Sequence, residues 1–139
     1  QIAVINGRRN IAFEKKLKTI SNNINIYQSK YVIKGLKKFK GKKILAFAGI
    51  GNPKSFFSLL KDSGLKIKRE ISFPDHYNYT KKEMENLMFK AKNEGLTLVT
   101  TEKDFFRIKR SGFKKINYVS VDLKILNNKD FEKVLLKNL

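Results

Sequence analysis

Apolar and polar positions alternate between two periods along most of the chain, and the switches fall at helix and strand punctuation. Ile44 to Ala48 form an unbroken apolar run closed by Gly49, the pattern of a short strand covered on both faces. Asn52 stands where a helix cap is needed and Pro53 suits the first turn. Phe56, Phe57, Leu59 and Leu60 supply an apolar helical face, and Gly64 closes it. Leu65 and Ile67, then Ile71 and Phe73 after a bulge or register change, predict a second strand that ends at Pro74. Thr80 and Glu83 have capping-box spacing, and Met84, Leu87, Met88 and Ala91 line one side of the helix they open, which Gly95 ends. Leu96, Leu98 and Val99 predict a third strand. A short helix with Phe105, Phe106 and Ile108 follows, then a fourth strand through Ile116, Tyr118, Val119 and Val121. A last helix from about Asn128 is expected to turn Phe131, Val134, Leu135 and Leu136 inward. The order β-α-β-α-β-α-β-α with right-handed crossovers predicts an α/β fold, a three-layer α/β/α Rossmann-like domain with a mostly parallel sheet.

The first forty residues break this rhythm. Ile2 to Ile5 read as the end of a buried strand, closed by Asn6 and Gly7. The stretches 11–17 and 24–33 flank Ser21-Asn22-Asn23 and predict a two-stranded ribbon, which on its own is marginal in water. The expected division is therefore 1–40, the tail of a preceding domain plus a ribbon linker, and 41–139, an α/β/α domain.

Composition narrows the chemistry. At 139 residues with 41% hydrophobic positions the chain can bury a core, while the absence of cysteine excludes disulfides, thiolate zinc sites and a cysteine nucleophile. One histidine excludes a multi-histidine metal site, and no metal ligands are expected. No apolar run approaches the roughly 18–20 residues that cross a bilayer. The formal charge of +19, from 31 basic and 12 acidic residues, favours polyanionic partners. Arginine occurs only at Arg8, Arg9, Arg69, Arg107 and Arg110, and lysine-dominated charge favours a solvated coat over a dedicated nucleic-acid surface, whose base and phosphate contacts prefer the planar arginine fork. Such a coat is also suited to an anionic lipid surface.

Three polar segments follow three successive strands: Gly49-Ile50-Gly51-Asn52-Pro53, Pro74-Asp75-His76-Tyr77 and Thr100-Thr101-Glu102-Lys103-Asp104. In a parallel sheet all three lie at the carboxyl edge, where open α/β sheets bind ligands. Gly49 and Gly51 resemble the start of a dinucleotide fingerprint, but Lys54 stands where its third glycine belongs. Their other use is a tight strand-to-helix turn. His76 is the side chain suited to proton transfer near neutrality, and Asp75 can orient it or cap the turn. Glu102 and Asp104 can stabilise a helix start; alternatively, Lys103 and the threonines can contact phosphate or sugar. The candidate binding residues are thus Gly49, Gly51, Asn52, Thr101, Glu102, Lys103 and Asp104, and the candidate catalytic residues His76 and Asp75.

AFAGIGNPKSFF (46–57), FPDHYNYT (73–80) and LVTTEKDFFRI (98–108), with VING (4–7) upstream, resemble the C-terminal half of the tetraacyldisaccharide 4'-kinases, the lipid A kinases of Gram-negative bacteria. The resemblance implies transfer of the ATP γ-phosphate to the 4'-hydroxyl of a tetraacyldisaccharide 1-phosphate in lipid A biosynthesis, at the cytoplasmic face of the inner membrane, by a peripheral protein. It implies two α/β/α domains joined by a two-stranded linker, with the P-loop, Mg2+-binding acids and a catalytic aspartate in the N-terminal domain. The C-terminal domain supplies a histidine that partners that aspartate, here His76. The chain has no P-loop motif, so ATP and Mg2+ are expected mainly on the N-terminal domain, none tightly bound here, and the segment alone is expected to be inactive. The expected partners are that domain, the acylated disaccharide phosphate and the anionic inner membrane, without nucleic acid. The competing reading is a stand-alone basic nucleic-acid-binding α/β module, with 5 tyrosines and 11 phenylalanines available for stacking.

Overall fold

A computed structural model describes residues 1–137 and divides the chain into two compact units, Ile33–Ser120 and Gln1–Val32 with Val121–Leu139. In the unit 33–120, β3 (Lys43–Ala48), β4 (Lys66–Ser72), β5 (Thr97–Thr101) and β6 (Asn117–Val119) form a sheet in the order β4-β3-β5-β6, with every neighbouring pair parallel. The crossovers are α2 (Pro53–Asp62), α3 (Lys81–Asn93) and α4 (Glu102–Arg110).

The central strand explains the layering. Ile44 to Ala48 are each fully buried, and successive side chains point to opposite faces. Ile44, Ala46 and Ala48 pack with Phe56, Phe57 and Leu60 of α2. Leu45 and Phe47 pack with Met84, Leu87 and Ala91 of α3 and with Phe105 and Ile108 of α4. Burying a phenylalanine such as Phe47 favours folding by about 2–3 kcal/mol.

The expected irregularity in the second strand is present. The register runs Ile44↔Ile67 and then Leu45↔Arg69, leaving Lys68 unopposed. Ile67 and Ile71, four residues apart, would otherwise share a face. The extra residue turns Ile67 toward the α2 layer and Ile71 toward the α3–α4 layer, so each face receives an apolar side chain. Helix ends follow their sequence signals: Asn52 accepts from Ser55 N at 3.1 Å, and Thr80 and Glu83 form a reciprocal capping box.

In the other unit, β1 (Ile2–Asn6), α1 (Ile11–Ile20) and β2 (Asn25–Ile33) make a parallel β-α-β crossover, and β7 (Val121–Ile125) lies on the far side of β2. A helix thus stands where the first ribbon arm was expected. Asn10 accepts from Phe13 N at 3.0 Å, and this cap sets 11–20 into helix despite the alternating Ile11 and Phe13. The second arm, Asn25–Ile33, is a strand, but its partners are β1 and β7. Val4, expected within a buried strand, is 43% exposed. In α5 (Asn128–Leu136), Phe131 meets Tyr27 edge-to-face at 5.1 Å and Asp130 accepts from the Tyr27 hydroxyl at 2.9 Å. Leu135 and Leu136, expected inward, are exposed at 42% and 70% because α5 turns its Phe131 side toward β2.

The fourth expected strand divides at Ser120: β6 completes one sheet and β7 joins the other. Within the unit 33–120 the two chain ends adjoin, with Lys34 N donating to Ser120 O at 2.9 Å.

Candidate functional site at the carboxyl edge of the parallel sheet

Strands β3, β4 and β5 end side by side, so the polar segments that follow them occupy one rim. The chain leaves β3 toward α2 on one face of the sheet and leaves β5 toward α4 on the other. Between diverging loops of this kind an α/β sheet opens a crevice. Here the protein's own side chains occupy it.

Asp104 is fully buried in the first turn of α4. Its Oδ2 accepts from Gly49 N at 3.0 Å and from the Thr101 hydroxyl at 2.8 Å, while Oδ1 accepts from Arg107 Nη1 at 3.1 Å. Thr101 in turn caps α4, accepting from Asp104 N at 3.1 Å. A buried carboxylate is tolerated only when paired and hydrogen-bonded, and this one is both. Neighbouring Thr100 donates to Phe47 O at 2.8 Å, tying β5 to β3.

Gly49 is the node of the rim. Its carbonyl accepts from Arg107 Nη1 at 2.8 Å and from His76 N at 3.2 Å. A Cβ there would lie 2.8 Å from the Tyr79 hydroxyl, 3.0 Å from Tyr77 Cβ and 3.2 Å from Pro74 O, so only glycine lets the three segments close together. The Tyr79 hydroxyl is buried without a hydrogen-bond partner. Burial, and then the nearby Asp104 charge, push its pKa far up, so it stays neutral. Beside it, Tyr77 donates to Glu83 Oε1 at 2.5 Å. That bond, with those from the Thr80 amide and hydroxyl, holds the Glu83 carboxyl below its ordinary range.

His76 sits on this frame with a left-handed backbone, φ +55°, among the described residues the one non-glycine with positive φ. Its amide is shared between Gly49 O and Asp75 Oδ1, the latter at 2.9 Å. Its side chain is 81% exposed, with Asp75 Oδ2 3.9 Å from Nε2 and Arg107 Nη2 3.4 Å from Nδ1. The backbone is thus held in a sparsely populated conformation by its neighbours while the imidazole stays open to solvent.

The rim therefore joins Gly49, Asp75, His76, Thr101 and Asp104, and brings Gly51 close enough that a Cβ on it would lie 3.4 Å from Asp75 Oδ2. Asn52 is committed to capping α2, Glu102 Oε1 accepts from Ser120 Oγ at 2.9 Å, and Lys103 is exposed on α4. Of these candidates Asp104 and Thr101 face inward as structure. Arg107 was missed by sequence reasoning, although it is one of only five arginines and stands one helical turn beyond Asp104. In the turn after β3 the Gly49 amide is taken by Asp104 and the Ser55 amide by the Asn52 side chain. Among the described residues no three His, Cys, Asp or Glu side chains are grouped to hold a metal ion.

Comparison with known proteins identifies relatives. A family model described as tetraacyldisaccharide-1-P 4'-kinase matches residues 2–139. A tetraacyldisaccharide 4'-kinase of Pelagibacter ubique is 38% identical over 128 residues, covering 91% of this chain and 41% of that protein. One from Rickettsia bellii is 43% identical over 102 residues, covering 71% of this chain and 31% of that protein. The chain thus spans less than half the length of these relatives. Among solved structures, LpxK from Aquifex aeolicus in complex with ATP is similar with a TM-score of 0.54 at 18% identity, over 98% of this chain and 51% of that one, a likeness of fold. The stand-alone nucleic-acid module finds no support: Phe39, Phe47, Phe56, Phe57 and Phe105 are buried in the core rather than available to stack on bases.

Proposed function

The chain belongs to the tetraacyldisaccharide-1-P 4'-kinase family, and on that premise we propose that it is the C-terminal part of an enzyme that transfers the γ-phosphate of ATP to the 4'-hydroxyl of tetraacyldisaccharide 1-phosphate in lipid A biosynthesis. The observation that carries the reading is the exposed His76 imidazole, held on a left-handed backbone at the edge where three strand ends meet.

In this reading residues 1–40 are the end of the N-terminal kinase domain and its linker, and the rim of 41–139 faces that domain. ATP and Mg2+ bind mainly there, since the sequence of this chain carries no P-loop motif. ATP supplies the phosphoryl group, and phosphoryl transfer depends on positioning and electrostatics more than on covalent help from protein. His76 hydrogen-bonds an aspartate of the N-terminal domain and aims it at the sugar hydroxyl, whose proton the aspartate accepts as the oxygen attacks phosphorus. Asp75 stands beside the ring and keeps it oriented. Closure of the two domains keeps water from the γ-phosphate. The lysine excess holds the protein peripherally at the anionic cytoplasmic face of the inner membrane; among the described residues no helix is long and apolar enough to cross one.

The test is His76→Ala in the full-length protein. Turnover should fall by about 100-fold or more, the usual scale of a proton-transfer contribution, with the KM for ATP nearly unchanged. Wild-type turnover in this variant would remove His76 from the mechanism.

A further inference from the structure

We propose that Arg107 is the positioning residue of His76: it fixes Nδ1 as a hydrogen-bond acceptor and so places the proton of the neutral ring on Nε2. This deepens the reading above and rests on it for its catalytic consequence, while its structural content stands on the rim geometry alone.

A guanidinium has only donors and stays charged, so any ring nitrogen it addresses must offer a lone pair. Arg107 Nη2 lies 3.4 Å from Nδ1, a long contact, but the fork that carries it is well anchored. Nη1 of the same group donates to Gly49 O at 2.8 Å and to the buried Asp104 at 3.1 Å. The Arg107 side chain is 23% exposed, against 81% for His76, so an open ring rests against an anchored donor. On the other side Asp75 Oδ2, an acceptor, lies 3.9 Å from Nε2. The charged groups facing the ring are therefore Arg107 at Nδ1 and Asp75 at Nε2, with Asp104 behind the guanidinium, and both direct contacts favour the same tautomer. The consequence is directional. Nε2–H becomes a donor suited to a carboxylate on the partner domain, and the Nδ1–H tautomer, which would present a lone pair to that carboxylate, is suppressed.

As His76 is the single histidine, 15N-labelled chain gives an unambiguous reading of both ring nitrogens above the pH at which the ring is neutral. The proton should reside on Nε2 in wild type. In Arg107→Met, which keeps an apolar stem against α4, the Nδ1-protonated share should rise about three- to tenfold, the scale of losing one ordinary hydrogen bond at a solvent-exposed ring. An unchanged tautomer ratio in a folded Arg107→Met overturns the proposal. If that variant does not fold, the wild-type ring decides against the tautomer share of free histidine, with an Nδ1-protonated share at or above the free value overturning the proposal and one well below it supporting the proposal. In the full-length kinase, Arg107→Met should lower kcat in the presence of His76 and cause no further loss in His76→Ala, whereas additive losses mean that Arg107 does not act through the imidazole. An active His76→Ala enzyme would sink the catalytic reading and leave the tautomer measurement to judge Arg107.

Discussion

Asp104→Ala probes the rim at its deepest point. The substitution leaves the Gly49 amide and Thr101 hydroxyl without their acceptor and the Arg107 guanidinium without its carboxylate, in a place with no exposed surface at position 104. Removing one member of a buried pair costs about 3–5 kcal/mol. Arg107 retains some solvent contact, so the lower end applies, about 3 kcal/mol. With a denaturant slope of about 2 kcal/mol per molar urea, the midpoint should fall by about 1.5 M at constant slope. Asp104→Asn keeps one acceptor oxygen but turns an NH2 against donors, and should lose roughly half as much. The assay is urea unfolding followed by backbone amide signals of residues 33–120. Hydrogen exchange at Gly49 serves as the local probe, since its amide should exchange faster in both variants. A loss under about 1 kcal/mol for Asp104→Ala would show that the Asp104 bonds do not hold the two loops together.

Three further outcomes are expected. Gly49→Ala should destabilise the protein by about 1–3 kcal/mol because the new methyl meets Tyr79, Tyr77 and Pro74; Tyr79→Phe, which removes an unpartnered buried hydroxyl, should be neutral or slightly stabilising by thermal melt and should recover part of that loss. The Glu83 carboxyl titrates below its ordinary 4.5 when folded, so its contribution is present above that value and is lost as pH falls through the lower folded one; Glu83→Gln should flatten the acid limb of melting temperature against pH, and an unchanged limb would refute the sign. Binding of the protein to anionic vesicles should weaken steeply between low and physiological salt, and salt-insensitive binding would leave the lysine excess without a membrane role.

What could be read from the sequence was mostly local or periodic. The apolar run 44–48, the bulge before Ile71, the cap at Asn52 and the capping box at Thr80 each depend on neighbours a few residues away, and the structure has each of them. The segment 11–20 was ambiguous because Ile11, Phe13 and Leu17 fit alternation as well as a helical turn; the cap at Asn10 and the Arg9–Glu14 ion pair favour helix. The pairing of Asn25–Ile33 with Val121–Ile125 joins segments about 90 residues apart, and no periodicity carries that information. For the site, topology alone brought the three polar loops to one edge. It could not show that Asp104 turns inward, nor that Arg107 would reach Gly49 and His76, which are 58 and 31 positions away in the chain.

The contact between Lys34 and Ser120 makes the stretch 33–120 an uninterrupted piece of chain whose entrance and exit stand side by side. Such a piece can be cut out, closed into a ring by a short linker, or reopened at another loop without stretching its backbone. A circular permutant with new ends at Gly112 would separate what the α/β/α unit needs for folding from what it borrows by being threaded between two strands of another sheet.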